Sequence, residues 1–189
     1  MSRGARLALV LAAAACGGDS NDPSNVQFTV SGSLNLSGQP IPIGARVLVA
    51  WTVSAAASDY SYVFGEGTIL GSRFQVTLRQ VPPAAALNAG QLGVGVVFLT
   101  TNTEVQDGDH LEDVVLDPAE LIGATARFAV IYKATNIVDQ VDWEDAFPLG
   151  FSAGVGVDRV GFDAFAPTAP TSMELIVDDL GNIDFVQWS

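Results

Sequence analysis

Cysteine, histidine and basic residues are scarce in this sequence, and each scarcity excludes a class of function. The 189 residues include one cysteine, Cys16, and one histidine, His110. No disulfide can therefore form within the chain, and a zinc site would lack the further His or Cys ligands that it needs. Eight Lys and Arg residues stand against 21 Asp and Glu residues, which gives a net charge of −13. Because nucleic acid is bound chiefly through Lys and Arg, this balance excludes nucleic-acid binding.

The N-terminal apolar run is too short to cross a bilayer, which needs about 20 apolar residues. Arg3 and Arg6 precede nine apolar residues, Leu7 to Ala15, and the polar stretch GGDSNDPSN follows Cys16. This order predicts an export signal that is removed after residue 15. Beyond it, six basic residues remain against 21 acidic ones. Because no disulfide can form, stability has to come from a hydrophobic core.

The stretch Ala13-Ala14-Ala15-Cys16 resembles the lipobox of bacterial lipoproteins, with Ala13 where that family prefers leucine. The resemblance implies that Cys16 is acylated, by palmitate among other chains, and becomes the N-terminus of a membrane-anchored protein. Several acyl chains on one residue make such an anchor stable. An aspartate directly after the cysteine would resemble the inner-membrane retention signal of some bacteria. Because Gly17 stands there, the resemblance implies the outer membrane of a Gram-negative bacterium. The alternative is a plain signal peptide with a chance cysteine.

The remaining sequence predicts an all-β fold, an antiparallel β-sandwich with at most one or two short helical turns. Strands are indicated by alternation in residues 26–31, 45–53 and 74–79, by the apolar runs 92–99 and 127–132, and by a closing hairpin of 173–177 with 183–188. A helical turn is predicted at Asp117-Pro118-Ala119-Glu120. The predicted organisation is a signal at 1–15, a lipidated cysteine and tether at 16–25, and one domain at 26–189.

The stretch VSGSLNLSGQPIPIGARVLV, residues 30–49, resembles the opening hairpin of carboxypeptidase-regulatory and transthyretin-like β-sandwiches. The resemblance covers about twenty residues and implies a sandwich fold with an accessory role. It supplies no catalytic residues. The rest of the chain is similar to secreted lipoproteins of no established activity.

Acidic residues are concentrated between Glu104 and Asp117 around a glycine. Carboxylates on a loop are the ligands that Ca²⁺ requires, and the candidate ligands are Asp107, Asp109, Glu112 and Asp113. The D-x-D-x-D-G order of a calcium loop is absent, so a solvated acidic loop is the alternative, and no other cofactor is expected.

A second candidate site surrounds Trp143, which stands among Asp142, Glu144 and Asp145. A flat ring beside hydrogen-bonding oxygens is suited to a sugar, so Trp143, Glu144 and Asp145 are candidate ligand-binding residues. The alternative is a tryptophan that anchors a loop onto the core.

The motif Gly150-Phe151-Ser152-Ala153-Gly154 has the G-x-S-x-G order of a serine hydrolase. In serine hydrolases with this motif, the histidine base follows the serine in the chain, whereas His110 precedes Ser152. Pro148 and the glycines that flank Ser152 predict a loop. We therefore expect no catalytic residues. A paired carboxylate such as Glu144 with Asp163 remains the other enzymatic option. Three function classes remain in order of preference: a structural or protein-interaction lipoprotein, an extracytoplasmic module for glycan, peptide or Ca²⁺, and a hydrolase.

Overall fold

The computed structural model describes residues 28–55, 58–89, 91–111, 113, 118–125, 127–136, 142–157 and 164–177. The predicted signal, Cys16, the tether and the second strand of the predicted closing hairpin lie outside these residues.

Ten strands make up the described chain, and the all-β prediction is confirmed. They are β1 (Phe28–Asn35), β2 (Arg46–Ala55), β3 (Ser58–Leu70), β4 (Arg73–Leu78), β5 (Leu92–Thr100), β6 (Leu121–Thr125), β7 (Phe128–Lys133), β8 (Gly150–Gly156), β9 (Phe165–Thr168) and β10 (Met173–Ile176). Three 3₁₀ turns occur in the described ranges, at Ala84–Ala86, Pro118–Glu120 and Asp142–Ala146. The second of them confirms the turn predicted before β6, and the total exceeds the one or two predicted.

Seven strands close into a barrel in the order β2-β3-β4-β1-β10-β6-β5, with β5 paired back to β2. β7, β8 and β9 extend the sheet from β5 as outer strands. The pairing of β1 with β10 is parallel, with Gly32 opposite Met173, and the other pairings are antiparallel. This arrangement differs from the predicted antiparallel sandwich because β5 changes partner along its length: its first half pairs with β7 and its second half with β6.

The hairpin predicted from residues 30–49 is not formed. β1 and β2 are separated in the barrel by β3 and β4, so the connection of residues 36–45 spans one end of the barrel and does not join paired strands. At the other end of the chain, Leu175 and Ile176 have β1 on one edge and β6 on the other. The second strand of the predicted closing hairpin, residues 183–188, lies outside the described residues, so this hairpin stays a prediction.

Three hydrophobic clusters lie on the two faces of the sheet. The inner cluster fills the barrel and includes Val30, Val47, Val49, Trp51, Phe74, Val76, Val97, Leu99, Val130, Met173 and Leu175. The second cluster, on the outer face around Leu48, Val96 and Phe98, includes Val105 of the β5–β6 connection. The third packs Phe147 and Phe165 onto Leu92, Val94 and Ile131. β5 belongs to all three, which is why its run of nine residues is buried throughout.

Trp51 occupies the inner cluster because two glycines of β5 leave space for its ring. A Cβ on Gly93 would lie 2.8 Å from Trp51 Cε3, and a Cβ on Gly95 would lie 3.2 Å from Trp51 Cδ2. Trp51 belongs to the core, and its exposed fraction is 0%. The glycines of GVGV therefore serve packing.

Candidate functional site

The G-x-S-x-G motif lies in strand β8, and the loop predicted around Ser152 is wrong. A Cβ on Gly154 would come within 3.2 Å of Ile131, Phe147 and Phe165, so this glycine lets the outer layer pack closely on the strand. Close packing outweighs the low strand propensity of glycine at this position. The Ser152 Oγ atom is buried and has no hydrogen-bond partner. A nucleophilic serine needs a base within hydrogen-bond reach, and the described residues provide none to this oxygen.

A buried lysine supports the turn that carries the second candidate site. Lys133 ends β7 with 4% of its surface exposed, and its Nζ donates a 3.0 Å hydrogen bond to the backbone oxygen of Glu144. Phe147, which is buried, follows the Asp142–Ala146 turn and packs against Phe165 and Ile131. These two anchors fix the turn on the outer face of β7 and β8. The lysine at the end of the run RFAVIYK was the sequence signal for this contact.

The carboxylates of this turn have different surroundings. Glu144 is half-buried and Asp145 is exposed. Burial raises the pKa of Glu144, the positive charge of Lys133 lowers it, and the negative charge of Asp145 raises it again. The backbone of Trp143 belongs to the turn, but its side chain lies outside the described structure, as does Asp163. The structure thus places Glu144 and Asp145 next to each other and leaves the predicted sugar site without a described aromatic ring.

The acidic loop is attached to the edge of β3 by backbone hydrogen bonds. Val63 N donates to Asp109 O at 2.8 Å, Gly108 N to Val63 O at 2.9 Å, and Leu111 N to Ser61 O at 2.9 Å. Tyr62 and His110 form the bridge between them, with ring centroids 5.6 Å apart. Gly108 has a φ of 101°, a conformation that favours glycine at this turn.

Two of the predicted calcium ligands accept hydrogen bonds from the backbone. Asp107 Oδ1 accepts from Gly65 N at 2.9 Å, and Asp109 Oδ2 accepts from Gln106 N at 2.8 Å. Asp113 is exposed, with its Oδ2 atom 3.8 Å from His110 Nδ1, and Glu112 lies outside the described residues. Among the described residues, no group of three His, Cys, Asp or Glu side chains is placed to hold a metal ion.

Arg46 and Asn102 hold the start of the same loop. Arg46 Nη1 donates to the backbone oxygens of Val105 at 2.9 Å and Asn102 at 3.3 Å, and its Nε forms a 3.0 Å ion pair with Glu66. The buried Asn102 Oδ1 accepts from the backbone N–H groups of Glu104 and Val105. The loop is therefore a constrained element that covers the second hydrophobic cluster.

The third candidate, which was not predicted from the sequence, is an apolar surface at one end of the barrel, which we call the apolar end. It consists of Ile43, Leu70 and an open depression of about 360 Å³ between the β1–β2 connection and the β3–β4 turn. The depression is lined by Leu34, Asn35, Leu36, Gly38, Gln39, Pro40, Ile41, Gly71 and Ser72. Ile43 is fully exposed, and 63% of Leu70 is exposed.

The β1–β2 connection holds Ile43 in a defined position. Ala45 N donates to Pro42 O at 3.2 Å and Gly44 has a φ of 80°, so Ile43 stands at the apex of a hydrogen-bonded turn. Before it, Gln39 N donates to Leu36 O at 2.8 Å, and Leu36 is buried in the inner cluster. The turn chemistry demands glycine at residue 44 but does not demand isoleucine at residue 43.

Comparisons of the chain with protein-family models, with curated proteins and with solved structures found no match. None of the helical segments in the described part of the chain is long and apolar enough to cross a membrane.

Proposed function

We propose that this chain is a lipid-anchored protein of the cell envelope whose β-barrel domain binds another protein. The anchor is the acylated Cys16, and the membrane is the outer membrane of a Gram-negative bacterium. Support for the anchor comes from the order of residues 1–16, and support for binding comes from the apolar end. The domain itself is proposed to have no enzymatic activity.

The observation that carries the proposal is the full exposure of Ile43 at the apex of a constrained turn. A large aliphatic side chain held in water contributes nothing to the stability of the domain, and exposed apolar surface beside a depression is suited to a protein interaction. Because the turn is already ordered, binding would cost little further conformational entropy. The interior of the barrel is filled by side chains around Trp51, which favours binding at the outside of the domain.

Photo-cross-linking in cells tests the interaction. A photoreactive residue replaces Leu70 in the full chain, and we expect it to form an adduct with an envelope protein that is lost when Ile43→Ser is added. A photoreactive residue at Leu149, which is 56% exposed on the other side of the fold, serves as the matched control. Equal adducts from both positions would contradict an interaction at the apolar end.

Membrane fractionation tests the anchor separately. We expect Cys16→Ser to release the protein from membranes after a carbonate wash while its circular dichroism spectrum stays unchanged. If the serine variant still sediments with membranes, the lipid anchor is wrong.

A ligand-binding module is the second candidate, and the depression at the apolar end is the observation that favours it. Asn35, Gln39 and Ser72 supply polar groups beside the apolar residues of the lining, a composition that suits a small-molecule site. Thermal shift of the full chain against a panel of glycans, peptides and Ca²⁺ tests it, because a ligand of the native state raises the melting temperature.

A further inference from the structure

We propose that the apolar end receives an aliphatic side chain from a positively charged segment of its protein partner. This inference rests on the proposed function and adds the chemistry of the partner. It concerns the depression, its two exposed rim residues and the charges beside them.

The apolar rim is built from two separate connections. Ile43 lies two residues after Ile41, which lines the depression, and Leu70 directly precedes the lining residue Gly71. Gly71 has a φ of 60° in the two-residue turn between β3 and β4, so Leu70 is fixed as the last residue of a strand. Two exposed aliphatic residues on ordered backbone are thus close in the chain to the lining of one depression, an arrangement that suits an aliphatic side chain of a partner.

Charge selects among the possible occupants of this surface. The lining contains no charged residue, while the whole chain carries a net charge of −13. A second copy of the chain carries the same charge and is repelled, as is a membrane surface of anionic lipid. A positively charged protein segment is attracted by the same field, which raises its association rate.

The charges at the rim are split between its two sides. Asn35 Nδ2, in the lining, donates a 3.1 Å hydrogen bond to Glu174 Oε1 on β10. Arg73 follows the lining residue Ser72 on β4, and the strand register places Arg73 and Glu174 on opposite sides of Ser33. A basic residue next to the bound aliphatic side chain therefore has a carboxylate available on the β10 side.

Fluorescence anisotropy with a labelled peptide, GKKLILKKG, tests the inference on the full chain carrying Cys16→Ser, so that no lipid or detergent competes for the surface. We expect Ile43→Ser with Leu70→Ser to weaken binding by about tenfold or more, since two exposed aliphatic side chains lose their contact. The matched control is Leu149→Ser with Val157→Ser, which removes two exposed aliphatic residues elsewhere and leaves binding unchanged.

The rim charges and two further peptides complete the design. Glu174→Gln keeps an acceptor for Asn35 and is expected to weaken binding about threefold to tenfold, whereas Arg73→Gln leaves binding equal or tighter. The peptide GEELILEEG lacks the positive charges, and the peptide GKKSSSKKG lacks the aliphatic side chains. Each is therefore expected to bind more weakly than the first peptide by about tenfold or more. Circular dichroism checks that every variant is folded.

Four other results would overturn the inference. The first is equal peptide binding by all variants, which indicates non-specific attraction. The second and third are a dimer in sedimentation and flotation with phosphatidylcholine vesicles, if either depends on Ile43. The fourth is peptide binding only after truncation at Val177, which indicates that residues 178–189 cover the surface. If the cross-linked partner in cells contacts the apolar end through a segment without basic residues, this inference fails and the proposed function stands. If the peptide binds as expected but cells yield no adduct from residue 70, the proposed function fails.

Discussion

The indole N–H of Trp51 donates a 2.8 Å hydrogen bond to the backbone oxygen of Phe64. Phe64 lies where the register between β2 and β3 shifts, between the pairs Leu48–Glu66 and Ala50–Val63. The irregular position leaves a carbonyl group without a place in the regular ladder, and the indole supplies its donor. The Trp51 side chain therefore packs inside the barrel and also provides the hydrogen-bond donor for the Phe64 carbonyl group.

This bond gives the first prediction, for Trp51→Phe. The variant keeps an aromatic ring in the core but leaves the Phe64 carbonyl without its donor, so we expect the free energy of unfolding to fall by about 2 to 4 kcal/mol. Urea denaturation followed by circular dichroism measures the change. Phe64→Leu is the control, because the backbone oxygen is retained. A loss as large in the control would show that the hydrogen bond is not the cause.

The second prediction contrasts two hydroxyl groups. Thr125 Oγ1 accepts a hydrogen bond from Val97 N at 3.2 Å and donates to Phe128 O at 2.9 Å, at the point where β5 changes its partner from β7 to β6. We expect Thr125→Val to lower the free energy of unfolding by about 1 to 3 kcal/mol, because two backbone groups lose their partner.

Ser152→Ala provides the counterpart, since the Ser152 Oγ atom is buried without a hydrogen bond. Removing it is expected to leave stability unchanged or raised by up to about 1 kcal/mol. Thermal unfolding of both variants measures the contrast. A marked destabilisation by Ser152→Ala would mean that this hydroxyl has a partner, and the assignment of Ser152 to packing would then be wrong.

The third prediction concerns the acidic loop. Asp107→Ala removes the acceptor of the Gly65 N–H group, and we expect a loss of about 0.5 to 2 kcal/mol, as for other side chains that cap backbone donors. Asp107→Asn with Asp109→Asn keeps both acceptor oxygens and removes two charges that repel their neighbours, so stability is expected to be equal or slightly higher.

Removal of calcium by a chelator is the control for this experiment. If the loop is not a metal site, a chelator leaves the melting temperature of the parent protein and of the double Asn variant unchanged. A fall of many degrees with the chelator, restored by calcium and absent from the double variant, would assign Asp107 and Asp109 as ligands.

The fourth prediction is a dependence of stability on pH at Glu144. Burial raises the pKa of this carboxyl in the folded protein, so the ionised side chain is less favourable there than in the unfolded chain. The folded state retains a proton at pH values where the unfolded chain has lost it, and stability therefore decreases as pH rises between the ordinary and the raised pKa. Glu144→Gln should be slightly more stable than the parent at neutral pH.

The gain from Glu144→Gln should disappear as pH falls below the ordinary range of a glutamate, where both states are protonated. The backbone oxygen that binds Lys133 is retained in this variant, so the turn keeps its support. Denaturation midpoints at several pH values measure the difference. Asp145→Asn, on an exposed neighbour, is the comparison, and an equal pH effect in that variant would contradict the assignment to Glu144.

Patterns of alternating and continuous apolar residues predicted β2, β4, β5 and β7, because each strand carries its own buried face. β5 is the clearest example, since its apolar run follows from burial on both faces. By contrast, β8 was predicted as a loop because Gly150 and Gly154 weaken its local signal. Its strand conformation follows from packing by Phe147 and Phe165, which lie elsewhere in the sequence.

Closure of the barrel was not predictable for a similar reason. It depends on pairings between distant segments, such as Gly32 with Met173, and no local pattern records them. Among the candidate sites, the sequence located the acidic loop and the Asp142–Ala146 turn but did not indicate that the first is paired with β3 or that Lys133 supports the second. Ile43 was missed because its turn residues, Pro42 and Gly44, indicate a turn without indicating what the apex contacts.

The parallel pairing of β1 with β10 also sets the order in which the domain can fold. The partner of β1 on one edge, β4, is close in the chain, whereas its partner on the other edge, β10, lies about 140 positions later. Such long-range pairing slows folding and keeps an incomplete chain open. A chain that lacks β10 therefore leaves one edge of β1 and one edge of β6 without the partner that closes the barrel.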